Sequence, residues 1–308
     1  MEHEPVATLE RHKEYLSSKE GYKLIDTMSK LTAFDAPENL VASRPASARK
    51  MPESWEELEE TVADILRECG MESTRQVTLD LPRGTVDVDV LAKETVDGIV
   101  SSIVCECKNW KTSVPKAVVH SFRTVMHETG ANRGYIISRA GFQAGAYEAA
   151  QATNIQLVTF EEFQERCFTK WYKKQVWAVE ENLSNFNTYY EPLGRPGFNL
   201  LETDDEREAY IDVWNAYACA GLLMYHFSPW GSVGDRELVP PNLPLSVEKL
   251  KEKGLIVPDV LKYETGYREI LSILEEIAIE GLAELRKVYP ITRGRDAKTI
   301  HRDEYPEE

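Results

Sequence analysis

The chain has 308 residues, 42% of them hydrophobic, and a formal net charge of −16. That length and apolar fraction suffice for one large core or two ordinary ones, and no apolar run approaches the roughly 20 residues of a membrane span. Net acidity argues against tight, unassisted binding to a phosphate backbone, so any nucleic-acid surface has to be a local basic patch. Glu2 and Glu4 stand where a secretion signal would be basic, and a cytoplasmic protein with no membrane partner is expected. Five cysteines (Cys69, Cys105, Cys107, Cys167 and Cys219) are odd in number and irregular in spacing, which predicts free thiols.

Loosely helical spacing of Val6, Leu9, Tyr15, Leu16, Tyr22, Leu24, Ile25 and Met28 predicts a polar helix within an N-terminal segment, residues 1–34. Residues 35–53 turn to Pro, Ala, Ser and charge and read as a linker; Arg44, Arg49 and Lys50 suit a solvated tether better than a nucleic-acid-binding arm. Ser54 is a natural N-cap for a helix with Glu56, Glu57 and Glu59 in its first turns and a stripe of Trp55, Leu58, Val62, Ile65 and Leu66, closed by Gly70. Strands are expected over 75–81 and 85–92, joined by Pro82-Arg83-Gly84. Val86, Val88 and Val90 share one face of the second strand and Asp87 and Asp89 the other.

The run from Ile99 to Trp110, rich in β-branched and small residues, reads as a strand buried on both faces that ends in charge. A helix over 115–129, a strand over 134–138, an Ala-rich helix over 142–153 and a strand over 155–160 complete an α-β-β-β-α-β-α-β order. That order predicts a three-layer α/β/α core with a mixed sheet over residues 54–165. From residue 166 to 308 the pattern becomes aromatic-rich and helical, with segments near 168–183, 204–225, 246–253 and 262–289, and a mostly α-helical second domain is expected. Lys170 to Trp177 interleaves basic and aromatic residues, which suits base stacking but fits an amphipathic docking helix better.

Alternate strand residues point the same way, so Glu106 and Lys108 present a carboxylate and an ammonium together at the carboxyl end of a buried strand. Charges placed there are kept because they pair, bind metal or do chemistry. Asp89, on the neighbouring strand, can add a second carboxylate. Two carboxylates and a backbone carbonyl suit Mg²⁺, and the lysine can hold or deprotonate an attacking water. A shared ion requires Asp89 and Glu106 to lie within roughly 8 Å. The alternative is a structural Glu106–Lys108 pair on a sheet edge.

The stretches WEELEETVADILRECG, VDVDVLA, IVCECKNW and GYIISRAGFQAGAYEAAQATNIQLVTF together resemble the Mrr-type catalytic domain of the PD-(D/E)xK nuclease superfamily, over about a third of the chain. The resemblance implies a Mg²⁺-dependent phosphodiesterase, with Mn²⁺ as an acceptable substitute. Metal would be held by Asp89, Glu106 and the carbonyl of Cys107, with Lys108 positioning the water and Glu59 matching the family's helix glutamate. Asp87 competes with Asp89 for the hairpin position; VDVLA falls in the family's register. Many members carry Gln where this chain has Glu106, and a glycine-rich lead-in that it lacks.

His120, Arg123 and Lys111 are candidate phosphate contacts. The expected function is DNA endonuclease cleavage in restriction or anti-phage defence, guided by a helicase or ATPase subunit or acting as a homodimer. A non-catalytic interaction module on the same fold and a repair or junction-resolving nuclease are the rivals.

Overall fold

The structure, a computed structural model, describes residues 49–81, 84–186, 200–227, 240–252, 254–290 and 292–294. The expected N-terminal helix and most of the expected linker lie outside the described residues. Two compact units emerge, one containing residues 45–175 and the other residues 176–308.

In the first unit, helix α1 (Trp55–Glu68) opens with a capping box: Ser54 accepts from the Glu57 N–H and the Glu57 side chain returns to the Ser54 N–H. Strands β1 (Glu72–Leu81), β2 (Gly84–Val96) and β3 (Ile99–Lys108) pair antiparallel in turn. Both hairpin arms are longer than the alternation suggested. Asp97 and Gly98 join β2 to β3 with φ of 51° and 80°, the left-handed pair that a two-residue hairpin turn requires. Asp-Gly is a sequence signal for such a turn, and the apolar run that follows it masked it.

From β3 the chain changes mode. Helix α2 (Lys116–Thr129) leads to β4 (Arg133–Ser138), and the short helix α3 (Ala144–Ala150) leads to β5 (Ile155–Thr159); β3, β4 and β5 are parallel, and the strand order is β1-β2-β3-β4-β5. Two successive crossovers in one direction place α2 and α3 on the same face of the sheet. There Val88, Val104, Val119, Phe122, Met126, Ile136, Ala146 and Ile155 form a buried cluster. Helix α1 and the first half of α4 (Phe160–Asn182) supply the other layer: Trp171 Nε1 donates to Glu68 Oε2 at 2.9 Å, and Phe163 meets Tyr135 edge-on. The result is the three-layer α/β/α core with a mixed sheet expected from the sequence.

Two charged segments are packed against the core, and for the first the expected solvated tether is corrected. Arg49 is no free tether: it pairs with Asp64 (3.3 Å) and Glu68 (2.7 Å) on α1, while its backbone exchanges hydrogen bonds with the Gln164 side chain on α4. Lys170 pairs with Glu94, and Trp171 and Tyr172 are buried, so this part of α4 is core rather than an open stacking strip.

The second unit contains α5 (Asp204–Tyr217), α6 (Cys219–Phe227), α7 (Glu248–Glu252), α8 (Val260–Tyr263) and α9 (Tyr267–Val288). The expected single helix over 204–225 is two, joined at Ala218. Trp214, Tyr210, Phe227, Leu274 and Leu285 are among its buried side chains, and Tyr210 packs against Tyr289. No described helix is long and apolar enough to cross a membrane.

Gly134, at the start of β4, shows how closely α2 lies on the sheet. A Cβ built there would stand 2.7 Å from both Met126 Sδ and Phe122 Cε1. Met126 can yield, but the Phe122 ring is fixed in the buried cluster. Gly134→Ala is therefore expected to destabilise the sheet unit by about 1–3 kcal/mol, read as a lower denaturant midpoint at unchanged slope.

Candidate active site

The β2–β3 ladder runs from Val96–Ile99 to Val90–Cys105 and stops there, so the position where Asp89 would face Glu106 lies beyond the last ladder pair. Asp89 bridges the divergence with its side chain: Oδ2 accepts the Cys107 N–H at 2.7 Å. A strand residue sends its N–H and C=O to the same side, and successive residues to opposite sides. The Lys108 carbonyl accepts from Arg139 N beyond β4 (3.1 Å), so the Cys107 carbonyl points the other way, towards Asp89.

Lys108 Nζ lies 2.5 Å from Glu106 Oε1 and 3.9 Å from Asp89 Oδ2. One ammonium within those distances of both carboxylates keeps them inside the separation that a shared ion demands. Burial, then the charge of Asp89, pushes the Glu106 carboxyl above its ordinary range against the pull of Lys108. Burial also works against the charge on Lys108, but Glu106 and Asp89 outweigh it and hold the ammonium above its usual value.

Glu59 arrives from α1. It is 4% exposed, and burial followed by the charge of Asp89 raises its carboxyl as well. Its Oε2 accepts from Gln76 Nε2 at 3.3 Å. Gln76 stands at the β1 position across from Asp89, with φ of 52°, an uncommon left-handed conformation for a side-chain-bearing residue. Sequence reasoning missed Gln76, because a polar residue on an alternating strand carries no mark of its backbone angle. A strained residue touching a buried carboxylate is a feature that only coordinates show.

The remaining expected residues separate. Asp87 is exposed and accepts from Thr78 Oγ1 at 2.6 Å, one step further out than Asp89, where β2 pairs with β1 alone. His120 and Arg123 are exposed on α2, and among the described residues neither makes a polar contact with Asp89, Glu106 or Lys108. Lys111 is exposed just past β3. Cys105 and Cys107 are buried, and burial pushes both thiols up.

Among the described residues no three His, Cys, Asp or Glu side chains converge on one point suited to a metal. The groups that could hold one are instead the Asp89 and Glu106 carboxylates and the Cys107 carbonyl, all hard oxygen atoms, carrying negative charge that one lysine offsets in part. That chemistry fits a divalent cation of the Mg²⁺ kind, which keeps several waters of its own.

Residues 50–167 match the family model Mrr_cat, described as restriction endonuclease. This segment is a Mrr-type restriction-endonuclease-like domain. The Mrr-type domain spans α1 to the first turns of α4, and contains Glu59, Asp89, Glu106 and Lys108. Among solved structures the chain is similar to a crystal structure of a protein of unknown function, AF1548, at 18% identity and a TM-score of 0.32, over 76% of this chain and 98% of that one. It is also similar to the DNA modification-dependent restriction endonuclease AspBHI, at 13% identity and a TM-score of 0.24, over 46% of this chain and 43% of that one. The chain thus spans less than half the length of AspBHI. No curated protein matches it.

The crowding of carboxylates has a pH consequence. Because the Glu106 carboxyl sits above its ordinary 4.5, it stays protonated to higher pH than a free glutamate, and lowering the pH removes charge from the donor set early. Titration calorimetry with Mn²⁺ should show binding that weakens on acidification with a midpoint above pH 4.5. A midpoint at or below that value contradicts a Glu106 carboxyl held above its ordinary range.

Proposed function

We propose that the Mrr-type domain is a divalent-metal-dependent DNA endonuclease, with Asp89, Glu106 and the Cys107 carbonyl as metal ligands and Lys108 as the residue that handles the attacking water. The observation that carries this reading is the meeting of two carboxylates on one lysine where β2 and β3 part. A bound Mg²⁺ would supply Lewis-acid polarisation of the phosphate and a more acidic water.

The chain's own groups do the rest. With both carboxylates facing it, Lys108 remains an ammonium, so it donates to the water oxygen and offsets the charge gathering on the phosphoryl oxygens. Asp89 is aimed by the Cys107 N–H, and this bond leaves its second oxygen for a ligand. Glu59, steadied by Gln76, sits one step behind and adjusts the charge that Asp89 feels.

A scaffold that merely keeps this fold is the rival reading. Clustered, partly buried like charges with raised carboxyls lower stability, and without a ligand or a reaction nothing offsets that. Restriction or anti-phage defence is the setting proposed for the activity, with Mg²⁺ as cofactor, Mn²⁺ as substitute, and DNA as substrate. The acidity of the chain favours delivery by a second subunit with a motor or ATPase function, or pairing of two copies. The helical unit from residue 176 onward is proposed to serve that recognition.

Incubation of supercoiled plasmid with Mg²⁺ or Mn²⁺ tests the reading. Lys108→Ala, Glu106→Gln and Asp89→Asn are each expected to lower the cleavage rate by about 10²–10³-fold, and Glu59→Gln by about 10–100-fold. Indistinguishable products from wild-type and Lys108→Ala protein would sink the nuclease assignment in favour of the scaffold.

A further inference from the structure

We propose that Trp110, flanked by Lys111 and Arg139, is a base-stacking platform at the mouth of the site that takes an unpaired DNA base next to the phosphodiester to be cut. This rests on the nuclease reading above and adds the substrate class to it: a strand that is single, gapped or locally unpaired at the cut.

The first observation is the placement of the indole. Trp110 lies two residues beyond Lys108, just past the carboxyl end of β3; the residue is 42% exposed, and Lys108 Nζ stands 5.8 Å from the ring centroid. An indole left open beside a charged centre offers its face to a base, and every base has a π-face to meet it. In an intact duplex those faces are covered by the neighbouring pairs, so only an unstacked base can use the ring.

The second observation is rigidity. The loops after β3 and β4 are knitted together: Val114 N donates to Gly141 O (2.9 Å), Gln143 N to Val114 O (3.0 Å), and Ser113 Oγ to Ala140 O (3.3 Å). Asn109, next to the indole, donates to Glu53 O at 3.0 Å and accepts from Arg139 Nη1 at 3.4 Å. A platform held this way loses little conformational freedom when a base lands on it.

The third is charge. Residues 107–147 contain Lys108, Lys111, Lys116, Arg123, Arg133 and Arg139 against a single acid, Glu128, in a chain whose net charge is −16. Lys108, Lys111, Lys116 and Arg139 lie at or just past the carboxyl ends of β3 and β4, where the indole is. Arg139 is exposed, and its one side-chain polar contact among the described residues is Asn109 Oδ1, which leaves N–H groups for a phosphate. Aromatic face, fixed loop and local positive charge together fit a strand of nucleic acid whose backbone runs past Lys108 and whose base turns onto Trp110.

The test uses the full chain with Ca²⁺ in place of Mg²⁺, and oligonucleotides carrying 2-aminopurine at an unpaired position or in an intact duplex. Wild-type protein is expected to prefer the unpaired strand and to quench its 2-aminopurine. Trp110→Ala and Trp110→Leu should lose the quench and narrow the preference by roughly tenfold, while Trp110→Phe keeps most of both. A Trp110→Ala protein that quenches and discriminates like wild type overturns the proposal, as does a wild-type protein that prefers intact duplex. Lys108→Ala separates the two levels: if it abolishes Mg²⁺-dependent cleavage while Trp110 variants change nothing, stacking alone fails. Wild-type protein that cleaves no DNA sinks stacking and nuclease readings together.

Discussion

Two carboxylates and one ammonium crowd the point where β2 leaves β3, and the rest of the domain is arranged to tolerate that crowding. Asp89 and Glu106 repel each other in a half-buried setting, and Lys108, at 3.9 Å and 2.5 Å from their oxygens, offsets part of that charge. Such a triad is unstable without its lysine and short of positive charge with it.

The surrounding fold decides how that crowding is presented. Antiparallel pairing brings β2 beside β3, and the end of their ladder at Val90–Cys105 frees the Cys107 N–H and carbonyl on the side of Asp89. Parallel pairing on the other side of β3 then fixes Lys108 through its carbonyl to Arg139. Helix α1 closes the site from above with Glu59, and Gln76 accepts an unfavourable backbone angle to reach it. An α-helix, an antiparallel hairpin and a parallel strand each contribute one constraint.

Charge is distributed in the same spirit. The acidic residues of the chain fall mainly outside residues 107–147, and the basic ones within that stretch gather partly at the rim that holds the site. An overall negative protein can thus present a positive edge to a polyanion, at the cost of weak long-range attraction.

Much of this was legible in the sequence because it is local or periodic. Alternation in VDVDVLA and the buried run IVCECK place Asp89, Glu106 and Lys108 on strands, the capping signal at Ser54 starts α1, and the order of elements leads to the α/β/α core with a mixed sheet. What periodicity could not decide was where the strands stop pairing, since that depends on a side chain replacing a backbone partner across eighteen positions of sequence. The separate placements of Asp87 and Asp89, the left-handed Gln76, the docking of Arg49 onto α1 and the exposure of Trp110 all follow from contacts between elements distant in the chain. Residue type and spacing therefore singled out the candidate groups, and tertiary packing decided which of them meet, because burial and proximity are properties of the assembled sheet rather than of any one strand.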